Sequence, residues 1–385
     1  MRRRSLRIIF LAAALFYFAT VALADWSPAK RLTWTSGTSV LPAIAVDSNN
    51  TIHIVWDDNT PGNDEIYYKK SMDQGETWSA AKRLTWTPGK SSWPDISIDS
   101  NDNIHVVWDD GTPGYSEIYY KKSTDGGETW TADRRLTWTP DWSDNPDLAI
   151  DSTDAIHLVW QDYTPGFFPE IYHKTTTDGG TTWSTTKRIT WTAGFSFDPA
   201  LAIDSTDALH VFWEDYTPGF SEIYYRRTAD AGATWSTTKR ITWTAGDSFD
   251  PALAIDATDA IHLVWYDDTP GNLEVYYKKT TNGGKTWSPT DRLNWTSGSS
   301  QRPVIAVDST DAVHLVWSDD TPGDDEIYYK KSTNGGTSWS MAQRLTWTSG
   351  SSRSPAMAID ADDAIHVVWQ DDTPGKNEIY YKKGN

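Results

Sequence analysis

Residues 71–78 read Ser-Met-Asp-Gln-Gly-Glu-Thr-Trp, and the pattern Ser/Thr-x-Asp/Asn-x-Gly-x-Thr/Ser-Trp returns at Ser123–Trp130, Thr176–Trp183, Thr228–Trp235, Thr280–Trp287 and Ser332–Trp339. The pattern has a local physical logic. A short acidic or amide side chain accepts hydrogen bonds from the turn's own backbone, glycine permits a positive φ, and tryptophan has a large apolar face to bury. The flanking sequence repeats with it. Arg-(Leu/Ile)-(Thr/Asn)-Trp begins at Arg31, Arg83, Arg135, Arg188, Arg240, Arg292 and Arg344, at spacings of 52 residues with a single 53.

Each unit contains four short segments of strand character separated by turn residues. In the first they are Pro42–Asp47, Ile52–Asp57, Glu65–Lys70 and Lys82–Trp86, strands A to D, with Ser48-Asn49-Asn50 between A and B and Thr60-Pro61-Gly62 between B and C. Four strands per unit of this length predict an all-β fold, a seven-bladed β-propeller of four-stranded antiparallel blades over residues 25–385. The segment from Asp25 to Trp34 matches the end of a unit, whereas Tyr381-Lys382-Lys383 ends a strand C. The N-terminal strand is therefore expected to complete the last blade and hide an edge open to aggregation.

Residues 1–24 read as a signal peptide: Arg2, Arg3, Arg4 and Arg7, then an apolar run from Ile8 to Leu23 ending Ala22-Leu23-Ala24. Arg3-Arg4 leaves open whether the general or the twin-arginine route is used. The expected mature chain starts at Asp25, and no other apolar run is long enough to span a bilayer, so the reading is a secreted protein, extracellular or periplasmic. No cysteine is present, which excludes disulfides and thiolate metal sites. Without the leader, 30 basic residues stand against 53 acidic ones, a formal charge of −23 that makes nucleic acid an improbable partner.

The turn motif resembles the Asp-box (BNR) repeat of the sialidase-like β-propeller superfamily, and the resemblance runs along essentially all of residues 25–385. It implies an active site on the face away from the Asp-boxes. In sialidases, it also implies an arginine triad, a tyrosine nucleophile paired with a glutamate, and an aspartate acid/base. Several features depart from that pattern. The face formed by the B–C and D–A loops has only Arg302 and Arg353, the early Arg-Ile-Pro element is missing, and seven units replace six. A catalytic centre is one asymmetric constellation, and none is visible in the sequence. No catalytic residue is assigned, and no turnover of sialosides is expected.

Other candidates repeat too regularly to mark one site. A histidine recurs on every strand B (His53, His105, His157, His210, His262, His314 and His366), and His173 replaces a strand C tyrosine. Spread over separate blades, they read as structural, not as metal ligands. An arginine, an aspartate and a glutamate also recur, as Arg31, Asp58 and Glu65 in the first unit. They read as an ion-pair network or as a repeated sugar-binding set. Asp319, Asp320, Asp324, Asp325 and Glu326 form an oxygen-rich loop, read as solvated charge with Ca²⁺ as the alternative.

Aromatic content does break the repetition. Trp93, Tyr115, Trp142, Tyr163, Phe167, Phe168, Phe195, Phe197, Tyr216, Phe220 and Phe249 lie in the B–C and D–A loops of units two to five, with Asp144, Asp198 and Asp250 beside them. Such an arc is a candidate glycan-binding surface or a set of loop anchors. The sequence thus predicts a secreted, non-catalytic module whose partners are glycans or cell-surface polysaccharide. A sialidase-like glycoside hydrolase (exo-α-sialidase) and a protein–protein interaction scaffold are the alternatives.

Overall fold

A computed structural model describes residues 25–385 apart from Pro165, Phe167, Pro270, Pro322 and Pro374. The expected signal peptide lies outside the described residues. Strand B organises each blade. In the first blade Ile52–Asp58 is buried at every position, as a β-branched and aromatic run flanked on both sides should be. Strand A (Ser39–Val46) and strand C (Glu65–Ser71) pair antiparallel on either side of it, and the short strand D (Lys82–Arg83) pairs outside C. Seven such sheets follow one another, each with the order A-B-C-D.

Closure is as expected: Lys30–Arg31 is the outer strand of the seventh sheet, with Lys30 opposite Tyr381 and Arg31 opposite Tyr380. Two boundaries differ from the sequence reading by three residues, and the ends of strands A, B and C by one. Strand A starts three residues earlier, at Ser39, because a bulge lets the chain pass Leu41-Pro42 and regain register at Ala43. Strand D stops at Arg83, because Ile66 N–H donates to Thr85 Oγ1 (2.9 Å) and the side chain takes the place of a ladder carbonyl.

Three rings of seven tryptophans, plus Trp93 and Trp142, account for all 23. The strand B ring, Trp56 and its equivalents, is fully buried. The Asp-box ring packs edge-on against the preceding blade: Trp130 stands 5.1 Å from Tyr68, centroid to centroid, and Trp26 fills the same role at 5.1 Å from Tyr329. The third ring follows strand D and is exposed.

The Asp-box turns are self-contained, as their residues imply. Asp73 accepts from Thr77 N (2.8 Å) and Ser71 Oγ (2.8 Å), and these bonds with that from the Thr77 hydroxyl hold its carboxyl down at about 2. Glycine is needed here for space as well as for φ. A Cβ on Gly127 (φ 84°) would lie 2.2 Å from the Tyr68 hydroxyl. Gly127→Ala is expected to lower the melting temperature by a few degrees, about 1–3 kcal/mol of overpacking and backbone strain. An unchanged melting curve would show that the seam yields freely.

The recurring histidines are structural in this arrangement. His53 bonds Tyr68 Oη through Nδ1 (2.7 Å) and Asp47 through Nε2 (3.3 Å), and burial lowers its pKa. In blade three His173 takes the tyrosine's place, 3.3 Å from His157. The recurring charged set divides in two. Arg83 pairs with Glu65 of its own sheet (2.7 Å) and Arg31 with Glu378 (2.8 Å), whereas Asp58 accepts from Ser39 Oγ (2.6 Å) and Thr60 N (2.8 Å). Arg31, Asp58 and Glu65 are therefore not one triad.

Candidate functional site

The strand A bulge recurs in every blade and aims one side chain per blade at the propeller axis. These residues are Leu41, Trp93, Asn145, Asp198, Asp250, Arg302 and Ser354, each with φ between 44° and 52° and each followed by proline. A non-glycine residue in this region is strained by about 1 kcal/mol or more. The bulge and the closed ring hold the conformation. Together the seven line a cavity of about 620 Å³ at the axial mouth, on the face opposite the Asp-box turns.

A second column, the residue after each strand B tryptophan, supports the first from the neighbouring blade. Gln370 Oε1 accepts from Leu41 N (3.0 Å), Gln161 Oε1 from Asp198 N (2.9 Å), and Glu214 Oε1 from Asp250 N (2.7 Å). In blade five this column holds Tyr266, which reaches the cavity.

On one side of the mouth these columns bring charges together. Asp198, Glu214 and Asp250 each offer a carboxylate oxygen, all within 4.8 Å of one another. Burial, then Asp198, pushes Asp250 up to about 6, with Arg302 pulling the other way. Glu214 is raised well above the usual range by burial and then by both aspartates. Asp198 is raised by burial, opposed by its bond from Asn145, and it hydrogen-bonds Glu214. Tyr266 bonds Asp250, and its phenol is pushed up by burial and then by that carboxylate. Carboxyls this close disfavour one another's ionisation, and all three are raised beside a tyrosine and an arginine. Three oxygens at this spacing also suit a metal ion geometrically. The sequence reading named Asp198 and Asp250 but neither Glu214 nor the convergence of the three.

The adjoining blades two and three carry Asp95 and Asp147, hydrogen-bonded to each other, with Asp95 pushed up to about 6 by burial and Asp147 raised well above the usual range. Each also accepts a backbone N–H across a blade seam, Leu148 N to Asp95 (2.9 Å) and Leu201 N to Asp147 (2.7 Å). Neither stood among the sequence candidates.

Of the candidates, Trp93, Asp198, Asp250 and Arg302 meet at the cavity. Asp144 lies just behind it, pushed up to about 6 by burial and hydrogen-bonded to Gln161. Arg353 is instead ion-paired with Asp325. The acids of blade six do not converge: Asp320 accepts from Ser299 N (2.6 Å) and Glu326 pairs with Arg344 (2.5 Å).

The aromatic arc is largely one packed chain of rings. Tyr115, Trp142, Tyr163 and Phe197 follow one another at centroid separations of 5.9, 5.8 and 6.4 Å, and Phe195 stacks on Phe197 at 5.4 Å. Tyr216 closes on Phe197 at 6.0 Å and Phe168 on Phe195 at 4.9 Å. Phe249 packs on Tyr266 at 5.3 Å. Phe195, Phe197, Tyr163, Tyr216 and Phe249 are only part-exposed and anchor the loops, whereas Trp93, Tyr115, Trp142, Phe168 and Phe220 are 43–52% exposed. Phe167 lies outside the described residues.

No protein-family model and no curated protein matches the chain. Solved structures do match over most of its length. An ulvan lyase described as a polysaccharide lyase of a new family aligns with TM-score 0.63 at 12% identity, over 91% of this chain and 95% of that one. An α-L-arabinofuranosidase from Fusarium graminearum aligns with TM-score 0.55 at 13%, over 90% and 92%. The NanB sialidase from Streptococcus pneumoniae aligns with TM-score 0.52 at 14%, over 91% and 70%. At these identities the likeness is one of fold: the chain is a seven-bladed β-propeller in architecture, with an acidic axial mouth. Among the described residues no helix is long and apolar enough to cross a membrane.

Proposed function

We propose that this protein is an exported carbohydrate-binding propeller that takes a glycan into its axial mouth. One observation carries the reading: the seven residues before the strand A proline, which differ from blade to blade, converge on a single cavity. Trp93, 43% exposed, supplies an apolar platform. Asn145, Asp198, Asp250 and Arg302 supply the few directional polar groups by which a sugar is oriented. The fold neighbours, a lyase, an arabinofuranosidase and a sialidase by name, support a carbohydrate ligand. Export rests on the leader-like residues 1–24.

The convergence of Asp198, Glu214 and Asp250 favours a second reading, glycan cleavage at the same mouth, because a pair of neighbouring carboxyls with raised pKa values is what such chemistry uses. Sialosides remain poor candidates. Arg302 is the one arginine lining the cavity among the described residues, and a bidentate clamp of three is not assembled.

A glycan array probed with residues 25–385 tests the proposal. Binding is expected, with Trp93→Ala and Arg302→Ala each weakening it at least tenfold, about 1.4 kcal/mol, at unchanged melting temperature. An array without hits, or variants that bind like wild type, would refute the axial site. Release of reducing ends that Glu214→Gln abolishes would promote the second reading.

A further inference from the structure

Every seam between consecutive blades carries one tryptophan that folding leaves in solvent. Trp34, Trp86, Trp138 and their four counterparts are 65–71% exposed. Their surroundings are built alike. Arg83 lies over Trp86 at 5.5 Å and Lys121 of the next blade at 5.9 Å. Arg83 is fixed by Glu65 (2.7 Å) and by the Thr85 carbonyl (2.6 Å), and Lys121 by the Leu84 carbonyl. Glu65 is fully buried, and its second oxygen has no hydrogen-bond partner among the described residues, as in all seven blades. At the seam of blades four and five the indole of Trp243 borders a groove of about 470 Å³ that also holds Arg240, Lys278 and Thr286.

We propose that these seams are seven equivalent subsites for the pyranose rings of a polysaccharide laid along the outer rim. A rigid indole framed by fixed hydrogen-bonding groups combines an apolar platform with polar directors, the combination that selects a sugar ring over a purely apolar ligand. A protein partner is disfavoured by the arrangement. Stable protein interfaces need a contiguous apolar core within about 800 Å² per side, whereas these indoles sit on separate blades among charged side chains. A polymer matches repeated sites with repeated units, so that each added contact becomes intramolecular. The inference goes beyond the axial reading and stands without it.

The test uses residues 25–385 in native gels cast with soluble xylan, laminarin or polygalacturonate. At least one polysaccharide is expected to retard the wild-type protein and to shield its exposed tryptophans from acrylamide quenching. Trp86→Ala, Trp191→Ala and Trp295→Ala combined should raise the apparent Kd at least tenfold. Trp→Tyr at the same positions should restore most of the retardation. Should the alanine variant fail to fold, the wild-type quenching and the tyrosine variant decide. Retardation that the triple alanine variant keeps at the wild-type level, no retardation by any of the three polymers, or unshielded indoles would each overturn the proposal and leave the ring as a cover for the Arg–Glu pairs.

Discussion

A protein beginning at Gly37 is expected to melt at least about 15 °C below one beginning at Asp25, or to aggregate when expressed. The twelve residues between these starts hold far more than a two-residue strand. Leu32 is buried in the cluster that joins the seventh blade to the first, beside Trp56 and Ile379. Thr33 Oγ1 accepts from Ile379 N (2.8 Å), and the Leu32 N–H donates to the Ile379 carbonyl (2.7 Å). Trp26 closes over Tyr329 and bridges to Gly384.

Removal would also strand charge. Arg31 is the partner of Glu378, whose side chain is fully buried, and loss of one member of such a pair costs several kcal/mol. Lys69 would lose the Leu32 carbonyl to which it donates. The exposed strand C edge would then be free to pair with another molecule. Thermal unfolding of the two proteins, followed by tryptophan fluorescence, reads the difference. Coincident curves would mean that the ring closes without this strand.

The fold was legible because its signals are local and repeated. Asp73 and Gly75 dictate a turn within eight residues, and Ile52-His53-Ile54-Val55-Trp56 can only be a strand buried on both faces. The bulge at Leu41 was not legible. It requires a leucine at φ 51° before a proline, which local preference opposes and the closed ring imposes. With the bulge unseen, the direction of the side chain at that position was unseen as well.

A signal for the site was nevertheless present in the chain. Along the seven units the residue before the strand A proline runs Leu, Trp, Asn, Asp, Asp, Arg, Ser. The residue after the strand B tryptophan runs Asp, Asp, Gln, Glu, Tyr, Ser, Gln. Neighbouring columns such as the histidine and the tryptophan do not vary at all. Variation in the first of these columns marks the axis, because there seven equivalent positions face one shared space. Aromatic content drew attention to the loops instead, where Phe197 and Phe249 prove to be packed against neighbouring rings.

Asp147→Asn is expected to stabilise the protein at neutral and mildly alkaline pH, a gain where most core substitutions lose. Asp147 and Asp95 hydrogen-bond each other across adjacent blades, and both have carboxyls raised by burial, Asp147 by the charge of Asp95 in addition. A carboxyl whose folded pKa lies above its unfolded value binds more protons when folded. Its contribution is fully present below about pH 4 and is lost as pH rises through the folded value. For Asp95 that window runs from about 4 to about 6, and Asp147 extends it upward.

Asparagine at position 147 keeps an oxygen for Leu201 N, and its amide can donate to the Asp95 carboxylate, so the hydrogen bonds survive while the titration is removed. Both acids are part-exposed along the channel. After discounting for that screening, the expected gain is roughly 1–2 kcal/mol at pH 8. The difference in melting temperature between variant and wild type should therefore be near zero at pH 4 and widen to a few degrees by pH 8. Parallel curves across that range would show that the pair does not share a proton. A variant less stable at every pH would show instead that the Asp147 carboxylate supports the seam between blades three and four in a way that an amide does not reproduce.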